Sequence, residues 1–253
     1  MKTGVFITSR LGSTRLEQKA LLEIAGKTVT ELLIERVKQA ALPDILVLCT
    51  SEKPENQRLL QMAKRNGILG FAGADEDVLM RYLQAADHFE VDLIINVDGD
   101  DLLFDYRLID EFITIFQNRE PDYIKGEGFP FGFTPTGVRT TALAEVCRIK
   151  DETDTAGWGK YFVQTGRFQV EAVEAAGIFH RPDIRMSLDY DEDRCFFEAV
   201  FNQLYQAGRP IEPEELMKFL GDHPEVVAIN QGVHKRWQRD FEPHLALKVK
   251  DVN

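Results

Sequence analysis

Short, mainly apolar runs that alternate with helical patterns constrain the fold more than any other feature of this sequence. The runs are residues 5–7, 45–49 and 92–97. Continuous apolar runs of this length are typical of strands that are covered on both faces, as in a parallel sheet. Between the runs, apolar residues recur at helical intervals, as at Leu32, Leu33 and Val37. Repeated units of this kind predict an α/β fold in which helices cover both faces of a mostly parallel, right-handed sheet.

The first run leads into a loop, residues 8–19, whose composition suits a polyphosphate. We call it the basic loop, and its candidate phosphate-binding residues are Arg10, Gly12, Ser13, Thr14, Arg15 and Lys19. Glycine lets the backbone approach an anion, hydroxyl residues offer donors, and the cations form charge-assisted hydrogen bonds with phosphate oxygens. The loop is not a Walker P-loop or a dinucleotide fingerprint, because no second glycine precedes Lys19 and no G-x-G occurs. The alternative is a solvated basic loop between a strand and a helix.

A cluster of acids follows the third run. Asp98, Asp100 and Asp101 place three carboxylates at one strand end, where they repel one another unless a cation neutralises them. Mg²⁺ prefers oxygen ligands and takes one or two protein carboxylates, with water and phosphate oxygens completing its shell. Because ligands bind at the carboxyl ends of strands in such sheets, the basic loop and the acids predict a site for a metal–triphosphate complex. The alternative is a turn whose carboxylates cap the following helix.

The charge of the whole chain makes the basic loop more informative. With 42 acidic and 30 basic residues, the formal net charge is −12, which repels nucleic acid over most of the surface. A cationic loop in so acidic a chain indicates a focused site for a small anion. No stretch approaches the ~18 apolar residues of a membrane span, and residues 1–4 lead directly into a strand without a signal peptide. We therefore expect a cytoplasmic protein that binds neither membranes nor nucleic acid.

The length predicts one domain, residues 1–253, with residues 223–253 as a C-terminal arm that packs on the chain or forms a homodimer. The three cysteines, Cys49, Cys147 and Cys195, lie far apart in apolar or helical settings. We expect them to be reduced residues of the core.

Together, the basic loop and the acidic strand end resemble the sugar-acid cytidylyltransferases. This family includes the 3-deoxy-manno-octulosonate and acylneuraminate enzymes and the SpsF type of spore coat polysaccharide biosynthesis, which is the most similar. Its opening pattern is Arg-x-x-S-T-R-L-P-G-K and then Gly-Lys, which residues 10–19 and 26–27 resemble. Further matches are Cys49-Thr50-Ser51, the D-V-L-x-R-Y pattern of residues 77–82, the G-D-D/E stretch of residues 99–101, and R-P-D-x-R-x-T-L-D-T-P-E-D at residues 181–193.

The resemblance implies a three-layer, Rossmann-like sheet of the nucleotide-diphospho-sugar transferase (GT-A-like) type and a role for each matching residue. The basic loop would hold the triphosphate of CTP, with Arg15, Lys19 and Asp100 as the catalytic residues. Asp100 and Asp189 would bind Mg²⁺. Thr50, Ser51, Asp77, Arg81 and Asp98 would contact or border the nucleotide. The implied reaction is transfer of a cytidylyl group to an acidic acceptor, such as an acylneuraminate or a related sugar acid, with release of pyrophosphate.

Some features depart from the family pattern or leave alternatives open. Glu17-Gln18 stands where the family has Pro-Gly, which removes a glycine beside the phosphate site. An acidic acceptor needs a cation, for which Lys125, Arg139, Lys160 and Arg185 are candidates. The sequence also fits a glycosyltransferase, because Asp98-Gly99-Asp100 is a D-x-D motif, or a catalytically silent nucleotide-binding subunit.

Overall fold

A mixed seven-stranded sheet forms the centre of the protein. The structure is a computed structural model, and it describes residues 1–12 and 15–250. The strands are β1 (Thr3–Thr8), β2 (Glu23–Ile24), β3 (Lys27–Thr28), β4 (Ile45–Ser51), β5 (Leu69–Gly73), β6 (Leu93–Asp98), β7 (Tyr123–Glu127), β8 (Thr136–Arg139) and β9 (Val170–Glu174). The sheet order is β5-β4-β1-β6-β8-β7-β9, and β2 pairs with β3 separately. Only β8 runs antiparallel to its neighbours in the large sheet, so the predicted mostly parallel sheet is confirmed.

Helices cover both faces of this sheet. They are α1 (Val29–Val37), α2 (Gln57–Arg65), α3 (Val78–Phe89), α4 (Arg107–Arg119), α5 (Thr140–Ile149), α6 (Gly159–Gln164), α7 (Asp191–Leu204), α8 (Pro213–Asp222), α9 (Pro224–Ala228) and α10 (Val233–Phe241). Apolar side chains from α1, α4 and α7 pack on one face, and those from α3, α5 and α6 pack on the other. In β1, Val5 and Ile7 face the first layer and Phe6 faces the second. The continuous apolar runs therefore follow from burial on both faces.

Local sequence signals position the elements that frame the site. Thr28 and Glu31 form a capping box at the start of α1: Glu31 N–H donates to Thr28 Oγ1, and Thr28 N–H donates to a Glu31 carboxylate oxygen. Asp77 caps α3, accepting a hydrogen bond from Met80 N–H at 3.0 Å. Gly99 is required after β6, because a Cβ there would lie 2.2 Å from the carbonyl oxygen of Thr8. Glycine thus lets the ends of β1 and β6 approach closely.

One prediction about the core is wrong. Cys49 is buried and Cys147 is half-buried, but Cys195 is exposed. The buried face of α7 includes Asp193, because that carboxylate turns inward to an internal ion pair, and this rotates Cys195 outward. Within the described residues, no helix is long and apolar enough to cross a membrane.

Candidate active site

A cavity of about 680 Å³ opens at the carboxyl ends of β1 and β6. The basic loop and the acidic strand end both line it, which is where ligands bind in parallel α/β sheets. A third part of its lining, Ser187 and Asp189, comes from the segment that precedes α7. The fold thus brings three distant segments of sequence to one crevice.

Lys19 lies at the centre of this crevice and links the two acids that the resemblance singles out. Its Nζ is 2.5 Å from Asp100 Oδ2 and 3.1 Å from Asp189 Oδ1, and it also donates to the carbonyl oxygen of Leu188 at 3.0 Å. Arg15 approaches from the same loop, with one guanidinium nitrogen 2.7 Å from Asp189 Oδ1. The structure therefore brings Arg15, Lys19, Asp100 and Asp189 together.

The surrounding charges determine the protonation of this group. Burial alone would raise the pKa of Asp189, but the charges of Lys19, Arg15 and Arg185 outweigh it and lower the pKa to about 2. Burial would lower the pKa of Lys19, but Asp100 and Asp189 raise it above its usual value. The carboxylate of Asp189 and the ammonium of Lys19 are therefore both charged at neutral pH.

A buried network fixes the orientation of Asp189. Arg185 donates to Asp189 Oδ2 at 2.6 Å and to Asp193 Oδ1 at 3.0 Å. Asp193 also accepts from the N–H groups of Asp189 and Tyr190, and Asn230 donates to it at 2.9 Å. Sequence reasoning did not assign these supporting roles. The motif of residues 181–193 contains Arg185 and Asp193, but their partnership depends on a turn that brings them together, and Asn230 gave no signal.

The remaining acids of the strand end have different surroundings. Asp98 lines the cavity. The surrounding protein keeps water from its carboxylate, and this desolvation, together with the charge of Asp100, raises the pKa of Asp98 to about 6. Asn96 donates to Asp98 Oδ1 at 3.1 Å, and Tyr82 O–H donates in turn to the Asn96 side chain. Burial, reinforced by Asp100 and Asp98, raises the pKa of Asp101 well above its usual range. Asp98 thus lines the cavity at the end of a polar network, and its predicted place beside the nucleotide stays a prediction.

The basic loop is described in part. Arg10 and Gly12 line the cavity, whereas Ser13 and Thr14, both predicted to bind phosphate, lie outside the described residues. Gln18 has φ 48° and ψ 32°, which is the left-handed region that favours glycine. The family pattern has a glycine at this position. Gln18 therefore adopts the left-handed conformation that a glycine would adopt at lower cost.

Three predicted nucleotide residues do not reach the cavity. Thr50 and Ser51 end β4 but are buried, and Ser51 Oγ accepts from Asn56 at 2.7 Å. Asp77 is occupied as the cap of α3 and by an ion pair with Lys150. The prediction that Thr50, Ser51 and Asp77 lie at the nucleotide is corrected here, because each of these side chains points into the protein and not into the cavity. Arg81 lines the cavity and donates to the carbonyl oxygens of residues 74 and 75 at 2.7 and 2.9 Å, and its predicted contact with the nucleotide stays a prediction.

The donor set fits a hard divalent cation. Asp100 and Asp189 each place a carboxylate oxygen within 3.1 Å of Lys19 Nζ, so the two carboxylates share one ammonium group. Among the described residues, no group of three or more His, Cys, Asp and Glu side chains is arranged as a metal cluster. Two carboxylates match the preference of Mg²⁺, which keeps positions for water and phosphate oxygens. Their role as magnesium ligands remains a prediction.

Comparison with known proteins gives a consistent result. A family model described as "Cytidylyltransferase" matches residues 5–165, which is more than half of the chain. The spore coat polysaccharide biosynthesis protein SpsF of Bacillus subtilis is 28% identical over 228 residues, which is 87% of this chain and 94% of SpsF.

Solved structures share the fold. A cytidylyltransferase from Leptospira borgpetersenii has a TM-score of 0.80 at 22% identity, covering 90% of this chain and 97% of that one. CMP:2-keto-3-deoxy-manno-octonic acid synthetase complexed with CTP has a TM-score of 0.63 at 16% identity, covering 80% and 99%.

Proposed function

This chain belongs to the cytidylyltransferase family, and on that premise we propose that it transfers a cytidylyl group from CTP to a sugar acid and releases pyrophosphate. We propose further that the reaction requires Mg²⁺ and serves surface polysaccharide biosynthesis. The similarity to SpsF and to a synthetase complexed with CTP supports the pathway and the nucleotide.

One observation carries this proposal: Lys19 of the basic loop bridges Asp100 and Asp189 in the cavity. The arrangement places cations and carboxylates of the chain within one site, as a metal–triphosphate complex requires. Asp100 and Asp189 would hold the metal, which when bound neutralises charge on the triphosphate. Arg10, Arg15 and Lys19 would donate to its phosphate oxygens.

The reaction needs no nucleophile from the protein. A hydroxyl oxygen of the acceptor attacks the α-phosphorus and gives its proton to water, a new P–O bond forms, and the bond from the α-phosphorus to the bridging β-phosphate oxygen breaks to release pyrophosphate. The protein's contribution is to align the two substrates and to supply positive charge where negative charge develops. Fixed cations suit this task, because Lys19 and Arg15 are already held by hydrogen bonds to Asp189.

A pyrophosphate-release assay tests the proposal. The protein is incubated with CTP, Mg²⁺ and a panel of sugar acids, and we expect pyrophosphate only when an acid is present. Asp100→Asn should lower the rate by roughly 100-fold or more, because a charge that acts in the transition state is lost. Asp92→Asn, at the opposite and exposed end of β6, is the matched control and should retain activity.

The assay also separates the alternatives. A glycosyltransferase would consume a nucleotide-sugar and release no pyrophosphate from CTP. A catalytically silent subunit would give no turnover with any acid, and Asp100→Asn would then change nothing. Either result contradicts the proposed function.

A further inference from the structure

A buried arginine lies behind the loop that carries Asp100. Arg36, in the last turn of α1, is 6% exposed, and its guanidinium lies over the rings of Phe104 and Tyr106 at 5.7 and 5.5 Å. The surrounding protein keeps water from this group and lowers the pKa of Arg36 to about 10, so it stays charged at neutral pH. A buried charge needs hydrogen-bond partners. Its partners therefore show which part of the chain it stabilises.

Arg36 donates to three backbone carbonyl oxygens and joins two segments of the chain. Its Nε donates to Phe104, one terminal nitrogen donates to Ile211 at 2.9 Å, and the other donates to Leu103 at 3.4 Å. All three acceptor residues are buried and lie outside the helices and strands. Among the described residues, no backbone N–H donates to any of these oxygens. Because a buried carbonyl group without a partner is costly, Arg36 is required to keep this backbone inside the protein.

Two of the three carbonyl groups belong to the segment that carries Asp100. This segment, residues 99–105, connects β6 to α4. At its start, Gly99 packs against the backbone of β1, and the carbonyl oxygen of Asp100 accepts from Leu188 N–H at 2.9 Å. At its other end, Arg36 holds Leu103 and Phe104. The segment is therefore fixed on both sides of the Asp100 carboxylate.

A second cavity, of about 180 Å³, leads to Arg36 from the surface. Arg36 and Leu102 line it, together with the exposed residues Lys38 and Arg209. It shares no lining residue with the cavity of the candidate active site. A small solute can therefore reach the position of Arg36 without entering the candidate active site.

We propose that Arg36 is a positioning residue: it holds residues 99–105 so that Asp100 faces Asp189 and the two carboxylates can bind one divalent cation. The proposal rests on the proposed function. Arg36 does not line the candidate active site, so it touches neither substrate. Its loss should therefore affect the binding of metal and not the binding of the nucleotide alone. Residues that orient metal ligands are typically worth about 10- to 100-fold in metal affinity or activity.

Arg36→Ala separates these two effects. We expect the Mg²⁺ concentration for half-maximal pyrophosphate release to rise roughly 10- to 100-fold. Binding of CTP in the presence of EDTA, measured by calorimetry, should not change, because the basic loop keeps its cations. Lys38→Ala is the matched control. Lys38 lines the same second cavity and also donates to a backbone carbonyl oxygen, but that oxygen belongs to Asn66, so both measurements should stay unchanged.

Chemical rescue distinguishes the lost guanidinium from a general loss of structure. Millimolar guanidinium chloride can enter the second cavity of Arg36→Ala, and it should return the Mg²⁺ requirement towards that of the unsubstituted protein. Urea has a similar planar shape but no charge, so it should restore less, and sodium chloride should restore nothing. If Arg36→Ala does not fold, Arg36→Lys takes its place. It keeps the charge without the planar fork of donors, so its Mg²⁺ requirement should also rise.

A measurement without turnover separates this proposal from the proposed function. Mn²⁺ is titrated into the protein alone and followed by electron paramagnetic resonance, and the part of the binding that Asp100→Asn removes is assigned to the site. We expect the substitution of Arg36 to weaken this part. Unchanged Mn²⁺ binding, or a loss of metal-free CTP binding as large as the loss of metal binding, overturns the proposal. Absence of pyrophosphate release with every acid overturns the proposed function, whereas the Mn²⁺ titration still decides the role of Arg36.

Discussion

Asp189 pairs with more of the cations in and around the candidate site than any other single residue described above. It is 1% exposed and accepts hydrogen bonds from three cations, Arg15, Lys19 and Arg185. A buried carboxylate is stable only when it is paired in this way. The same pairing brings it, through Lys19, close to Asp100, and Asp189 therefore neutralises the basic loop; its role as a metal ligand stays a prediction.

Replacing Asp189 should affect activity and stability together. Asp189→Asn leaves three cations facing one another around a neutral amide, so we expect catalysis to fall by roughly 100- to 1,000-fold. Pyrophosphate release measures this loss. Asp183→Asn is the matched control, because Asp183 belongs to the same motif but lies at the surface in a pair with Arg181. If Asp183→Asn lost as much activity as Asp189→Asn, residues 181–193 would affect catalysis only by stabilising the fold.

The lowered pKa of Asp189 predicts a pH dependence of stability. Its pKa is about 2 in the folded chain and near 3.8 when unfolded. Because the folded value is lower, Asp189 contributes its stabilisation fully above about pH 4 and loses it as pH falls towards 2. The contribution is on the order of 2 kcal/mol.

Urea unfolding between pH 2 and 6, without metal or nucleotide, measures this effect. The difference in unfolding free energy between the protein and Asp189→Asn should shrink as pH falls through this window. A difference that does not change with pH would contradict the assignment of the charge to Asp189.

Some residues of the site could be placed from the sequence and others could not. Asp100 stands out because it is a carboxylate at a strand end, whereas Asp189 was found only through the resemblance of residues 181–193 to the family motif. Thr50 and Ser51 also follow a strand, but the sequence does not show that Asn56 turns back and binds Ser51 inside the protein. Asn230 stabilises Asp193 across a distance in sequence that no local pattern spans.

Among the elements, the basic loop departs from the family pattern directly before Lys19. Gln18 holds a left-handed backbone conformation at the position where the family pattern has glycine. A side chain in this region costs roughly 1–2 kcal/mol, part of which glycine would lose again through its greater freedom when unfolded. The loop therefore carries strain directly before Lys19.

Gln18→Gly should relieve this strain. We expect the free energy of unfolding to rise by about 0.5–1 kcal/mol, as measured by urea denaturation. Glu17→Gly is the control, because Glu17 is equally exposed but is not among the residues with positive φ, so glycine there should stabilise nothing. If Glu17→Gly stabilised the protein as much as Gln18→Gly, the argument from backbone strain would fail.

The secondary structure agrees with the sequence-based expectation where the apolar pattern is clear. The helical spacing at Leu32, Leu33 and Val37 falls within α1, and the apolar runs match β1, β4 and β6 within a few residues. Of the three cysteines expected in the core, Cys195 of α7 is exposed. Asp193 lies on the buried face of that helix and pairs with Arg185, and apolar periodicity does not show that a carboxylate is buried there.

At the scale of the whole molecule, the predicted α/β architecture is confirmed, and the cavity is assembled from both ends of the chain. The basic loop comes from the first twenty residues, and Trp237 and Phe241 come from the arm near the C-terminus. The arm packs on its own chain at the cavity. Its predicted role in a homodimer stays a prediction.

Nucleotide binding should stabilise the whole protein. A ligand that binds the native form raises the unfolding temperature, and the increase grows with the logarithm of its concentration relative to its dissociation constant. In a thermal-shift panel of the four nucleoside triphosphates with Mg²⁺, we expect the largest increase with CTP. Asp92→Asn should respond as the protein does, whereas Asp100→Asn should respond less. Equal shifts for all four nucleotides would contradict selection of the cytosine base.

The central claim is that a metal-bound nucleotide bridges Asp100 and Asp189 in front of the basic loop. Anomalous diffraction at the manganese edge, from crystals grown with CTP and Mn²⁺, tests it most directly. We predict a manganese peak about 2.1 Å from a carboxylate oxygen of each residue, a distance typical of small divalent cations, with phosphate oxygens completing its shell. A peak bound elsewhere, or CTP bound with no metal at these two carboxylates, would contradict the claim.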